Sequence, residues 1–187
     1  MQEDILEAAL RVLAADGARR FTTTRVAEVA GISVGSLYQY YPNRASLLLA
    51  LHEREVRTAW RHVEQILAAT DLGPREQIAR VVAFFFHAEA DEPPPMRDLM
   101  NEVDAQLRDA ASQQALQAEA LRGITSFLRD AIPREQTAET LAFHTDLFFT
   151  LIESVGKRIA SRGLNRDAVA RWAHTCSDML CDYLQLP

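Results

Sequence analysis

Residues 21–51 read FTTTRVAEVAGISVGSLYQYYPNRASLLLAL, and this stretch decides the fold. The cluster Thr22-Thr23-Thr24 opens a short helical segment that stops at Gly31, since glycine tolerates the left-handed backbone of a helix end. Ser33 is a good N-cap for a second short helix, which ends before Pro42. Two short helices about the tight turn Ala30-Gly31-Ile32-Ser33 make a helix-turn-helix. Val26, Val29, Ala30, Ile32, Leu37 and Tyr41 supply its apolar side, and Ala27 is small enough to let the second helix come close. The remaining positions, Ser33, Val34, Gly35, Ser36, Tyr38 and Tyr40, are too polar and too small on one side to be core. Such a surface can enter a major groove about 12 Å wide. Gly35 weakens its helix, which makes sense where backbone N–H groups must reach a phosphate. Thr23, Thr24, Arg25, Tyr38, Tyr40 and Arg44 surround it with hydroxyl and guanidinium donors, the usual phosphate-positioning set.

Working outward, helical periodicity continues in both directions, with Gly and Pro falling between the periodic segments. A first helix spans about Gln2 to Ala15, with Ile5, Ala9, Val12 and Leu13 on one face and Gly17 as its stop. Asn43 caps a long helix from Arg44 to about Ala69. Pro74 starts the next, which runs to about Ala90. Pro93-Pro94-Pro95 predicts an extended connector. One or two helices follow over Met96 to Ala131. Pro133 signals the start of a long helix ending near Gly163, and Asn165 caps the last. Strand patterns are almost absent. The expectation is an all-α chain of about nine helices. Its N-terminal three-helix DNA-binding domain would occupy residues 1–50, and a larger helical bundle 51–187.

The 187 residues are 48% hydrophobic and carry a net charge of −6, which excludes a disordered or low-complexity chain. That acidity is uneven. Met1 to Arg57 holds seven basic and seven acidic residues, whereas the rest holds thirteen against nineteen. Within Gly17 to Ala50, Arg19, Arg20, Arg25 and Arg44 face only Glu28, so a small basic segment sits on an acidic body. No apolar run approaches the roughly 18 residues of a membrane span. The acidic N-terminus is unlike a secretory signal, which predicts a cytoplasmic protein. Cys176 and Cys181 are five apart and fall on different helix faces, so neither a disulfide nor a zinc pair is expected.

The first fifty residues resemble the TetR (tetracycline-repressor-like) transcriptional regulators. The resemblance rests on the T-T-T-R start, the A-x-x-A-G turn and the string V-G-S-L-Y-Q-Y-Y-P-N-R before a leucine-rich helix. The family's usual Phe and Lys are replaced by Tyr41 and Arg44, which keep an aromatic plug and a phosphate-reaching cation. The resemblance implies nine helices, a dimer through the last two, and a regulator, usually a repressor, released from its operator by a small molecule. Thr23, Thr24, Ser33, Val34, Gly35, Ser36, Tyr38, Tyr40 and Arg44 match DNA-contacting positions of that family.

The later chain is read only in outline. An apolar cavity with a few polar groups is expected near Phe85, Met100, His144 and Phe148, taking a mostly apolar inducer of unknown identity. No His/Asp/Glu cluster predicts a metal, no cofactor is implied, and the chain lacks a nucleophile elbow, P-loop or dinucleotide fingerprint, so no enzyme is expected. On the helix after Pro133, Leu141, Phe148 and Val155, interleaved with Thr145, Ile152 and Ile159, suggest a dimer seam, with Trp172, Met179 and Tyr183 added by the last helix. A second function class is a helical interaction protein of the same fold acting through protein partners. The intact recognition string favours a homodimeric regulator of double-stranded DNA.

Overall fold

The computed structural model describes residues 1–17, 20–91 and 111–187, with the side chains of 111–113 left aside. Every regular element among the described residues is a helix. They are α1 (Gln2–Asp16), α2 (Thr23–Ala30), α3 (Val34–Tyr40), α4 (Arg44–Leu67), α5 (Pro74–Asp91), α6 (Ala111–Ala131), α7 (Ala138–Ser161) and α8 (Arg166–Leu184). The expected connector at Pro93-Pro94-Pro95 and the helix from Met96 lie outside the described residues, as does Arg19.

The helix boundaries follow local chemistry. The Thr22 side chain accepts a hydrogen bond from Arg25 N and opens α2, which closes on Gly31 at φ 71°. Ser33 accepts from Ser36 N to open α3. Asn43 Oδ1 accepts from Ser46 N at 2.8 Å while Ser46 Oγ accepts from Asn43 N at 3.2 Å, a reciprocal cap on α4. Asn165 opens α8 by accepting from Ala168 N. One expectation is corrected here. The helix expected from Pro133 begins instead at Ala138, where the Thr137 hydroxyl accepts from Thr140 N. Pro133 lies in the link, just after Ile132, whose N–H closes α6 on Leu128 O and whose side chain is buried.

The described residues form two compact units, 1–58 with 111–116 and 59–91 with 117–187. In the first, Ile5, Ala9, Val12, Phe21, Val26, Leu37, Tyr41, Leu47 and Leu51 form a continuous core across α1 to α4. In the second, Val63, Val81, Val82, Phe86, Ile124, Leu128, Phe148, Ile152 and Leu180 do the same. Here α5 lies antiparallel to α8. Arg75 at its start pairs with Asp182 at 2.7 Å, and Asp91 at its end pairs with Arg166 at 2.8 Å. These exposed pairs set register more than they add stability. Gln77, itself buried, donates its amide to Leu67 O at 2.9 Å and Ala69 O at 3.1 Å, closing the C-terminal end of α4.

The predicted dimer seam is also corrected. Leu141, Thr145, Phe148, Ile152 and Ile159 are buried within the chain itself, and Val155 packs against the same core. The apolar side chains left exposed on α7 and α8 are Phe143, Trp172, Met179 and Tyr183. Cys176 and Cys181 are buried free thiols, held high in pKa by burial. No described helix is long and apolar enough to cross a membrane.

Candidate nucleic-acid interface

Leu37, with no exposed surface, and Tyr41, with 7%, anchor α3 to the core of the first unit. Burial, aided by the Glu3 carboxylate, pushes the Tyr41 phenol up. The plug is therefore a neutral, packed ring. With that side fixed, Ser33, Gly35, Tyr38, Gln39 and Tyr40 face solvent, and Val34 and Ser36 are half-buried. A Cβ built at Gly35 meets only Ser33 Oγ, at 3.8 Å, so packing does not demand glycine there.

The flanking donors are held in place to different degrees. Thr24 is open. Thr23, 9% exposed, keeps its hydroxyl 3.2 Å from Tyr38 Oη, a link that ties the first turn of α2 to the exposed side of α3. Ser33 Oγ and Ser36 Oγ lie 2.8 Å apart. Arg44 Nε donates to Phe21 O at 3.2 Å, with the guanidinium 5.8 Å from the Phe21 ring. Arg25 is engaged more fully. Its Nε donates to Asp16 at 2.9 Å and its Nη1 to Glu28 at 2.9 Å. These bonds, that to Asp16 first, hold its guanidinium above the usual arginine range. Arg25 thus joins α1 to α2, and a phosphate at this position competes with two carboxylates.

The sequence reading passed over Gln39. It is exposed between Tyr38 and Tyr40, and a glutamine amide there has the donor–acceptor pair that reads an adenine edge. The signal was available in the spacing, since Gln39 lies off the buried face set by Leu37 and Tyr41.

The described residues considered for ligand binding have different surroundings in the second unit. Phe148 is fully buried. Phe85 is half-buried, its ring 5.7 Å from Trp60 and 5.5 Å from Phe84, and Trp60 in turn lies 5.5 Å from Phe149. His144 lies edge-on to Tyr183 at 5.6 Å. Its Nδ1 is buried without a hydrogen-bond partner, and burial lowers its pKa. Met100 lies outside the described residues. No group of three or more potential metal ligands occurs among the described residues.

Residues 5–51 match the family described as bacterial regulatory proteins, tetR family. The nucleoid occlusion factor SlmA of Actinobacillus pleuropneumoniae is 40% identical over 58 residues, which is 30% of this chain and 29% of that protein. The chain thus matches under a third of the length of this curated relative. Over nearly the whole chain the likeness is one of fold. A TetR-family regulator structure from Mesorhizobium loti superposes with TM-score 0.71 at 14% identity, covering 97% of this chain and 95% of that one. The Thermus thermophilus FadR structure, a TetR-family repressor in complex with lauroyl-CoA, gives TM-score 0.64 at 20% identity over 95% and 93%. Residues 5–51 thus carry a helix-turn-helix of the tetR type, and the all-helical chain shares the fold of the TetR-family regulators.

Proposed function

We propose that the chain is a homodimeric repressor that leaves a palindromic operator when a small, mostly apolar molecule binds. Residues 1–50 would hold the DNA and 51–187 would bind the inducer and pair the subunits, in the cytoplasm. The observation that carries the DNA reading is α3, clamped through Leu37 and Tyr41 while Tyr38, Gln39 and Tyr40 are exposed on its other side. Thr24, Ser33, Gly35, Ser36 and Arg44 border that surface, and Thr23 steadies Tyr38 from behind. In this reading Arg25 and Val34 act chiefly by positioning the two short helices.

The inducer seat is assigned to the neighbourhood of Phe85, Met100, His144 and Phe148. The aromatic rings of Phe84, Phe85, Trp60 and Phe149 support an apolar guest, and so does the acyl-CoA held by the FadR neighbour of like fold. The deciding experiment is a gel shift of the full chain on DNA from upstream of its own coding region, at two salt concentrations. Tyr40→Ala should weaken binding about tenfold, the loss of one good contact, with an unchanged melting temperature. Binding equal to wild type for Tyr40→Ala and Tyr38→Ala alike would overturn the interface.

A further inference from the structure

Among the side chains that α3 turns to solvent, one is both two-sided in its hydrogen bonding and uncommitted. Ser33 Oγ accepts from Ser36 N and lies 2.8 Å from Ser36 Oγ, so the two hydroxyls satisfy each other. Tyr38 Oη is held 3.2 Å from the Thr23 hydroxyl. Val34 is apolar, Gly35 has no side chain and Tyr40 offers a single hydroxyl. Gln39 is exposed, and its amide has no hydrogen-bond partner among the described residues. It presents a carbonyl acceptor and an NH2 donor side by side in one plane.

Its place on the helix matters as much as its chemistry. Two residues beyond the buried Leu37, Gln39 lies about 200° round α3, on the side away from the core. Gly35 stands on that same side, one turn earlier. Helical side chains lean over the turn before their own, which for Gln39 is the turn of Gly35. Glycine weakens a helix interior, yet a Cβ at 35 would meet only Ser33 Oγ, at 3.8 Å, so the chain's own packing gives no reason for it. A bare backbone there lets a base edge come within reach of the amide, and a methyl group would hold it off.

We propose that Gln39 is a specificity-determining residue that reads one A·T pair per recognition helix in the major groove. Its Oε1 accepts from adenine N6–H and its Nε2 donates to adenine N7, over the gap left by Gly35. The inference rests on the DNA reading of α3 above and names a base that reading leaves open.

The test is selection of binding sites by the full chain from a pool of randomised duplexes, at one salt concentration because affinity is salt-dependent. The wild type should select a site with one fixed A·T position that Gln39→Ala no longer discriminates. The preference lost at that base pair should be about 5- to 150-fold, the range for one bidentate contact. The other selected positions should stay as they are. Gln39→Arg should select G·C at the same position, because a guanidinium pairs with guanine O6 and N7. Base choice is the readout, so the added charge does not obscure it. Gly35→Ala should bind the wild-type site at least about tenfold more weakly, the loss of the same contact, with a melting temperature no lower than wild type. Four results would each overturn the proposal while leaving α3 as a DNA-binding helix. They are an unchanged preference in Gln39→Ala, a relaxed position where the wild type favours G·C, a Gln39→Arg site identical to the wild-type one, and undiminished binding in Gly35→Ala. Wild-type protein that selects no sequence from the pool would overturn both readings.

Discussion

Single side chains do two kinds of work in the first unit, and the sequence distinguishes them only in part. Tyr41 is readable as a plug because it stands four residues after Leu37, on the same helix face. Tyr41→Ala should therefore cost about 3–5 kcal/mol, the range for truncating a buried aromatic, seen as a drop in melting temperature. Arg25 is not readable in this way. Its partner Asp16 is nine residues back across a turn, and only the folded chain brings the two together. The second unit adds a titratable case at His144. Burial disfavours its charged form, so the unfolded chain takes up the proton first. Above the ordinary histidine value of about 6.5 neither state is charged and the full stability is present. As pH falls below that value the unfolded state is favoured, and stability is lost until the lower folded-state pKa is reached. His144→Leu should accordingly narrow the difference between melting temperatures measured at about pH 7.5 and about pH 5.5, roughly one unit either side of that value. An unchanged difference would mean that His144 is solvated.

At the scale of the element, helix starts and stops were legible where a single capping signal stands beside the helix. Thr22, Ser33, Asn43 and Asn165 all cap as their positions predict. The start of α7 was misplaced because Pro133 and Thr137 are both valid start signals, and tertiary packing of Ile132 decides between them. The closure of α4 by Gln77 was invisible for a related reason, since it reaches back from the next helix. Two glycines test the difference between a required and a dispensable one. Gly31 holds φ 71° in the turn between α2 and α3, so Gly31→Ala should destabilise the chain by roughly 1–2 kcal/mol in denaturant melts. Gly123 has ordinary helical geometry and open space beside it, so Gly123→Ala should stabilise by about 0.5–1 kcal/mol.

For the molecule as a whole, the periodic apolar pattern of α7 was real, but its assignment needed three dimensions. Spacings of three and four mark a buried face without saying whose atoms cover it. Leu141, Phe148 and Ile152 are covered by this chain, which removes them as contacts for a second copy. What remains uncovered is Met179 at 63% exposure, Phe143 at 56%, Tyr183 at 53% and Trp172 at 40%. Trp172, Met179 and Tyr183 recur at intervals of seven and four along α8. His144 lies against both Tyr183 and its neighbour Phe143, so the exposed rings of the two helices meet at this point. A two-fold axis through that surface would make it self-complementary and set two α3 helices to read half-sites about 34 Å apart. Dimerisation would then supply the operator affinity that one seven-residue helix lacks. Met179→Glu, an exposed substitution that leaves the chain's own core untouched, should yield folded monomers by sedimentation equilibrium. Those monomers should lose operator binding while keeping the wild-type helical signal. Wild-type protein that sediments as a monomer and still binds DNA tightly would remove the two-fold arrangement.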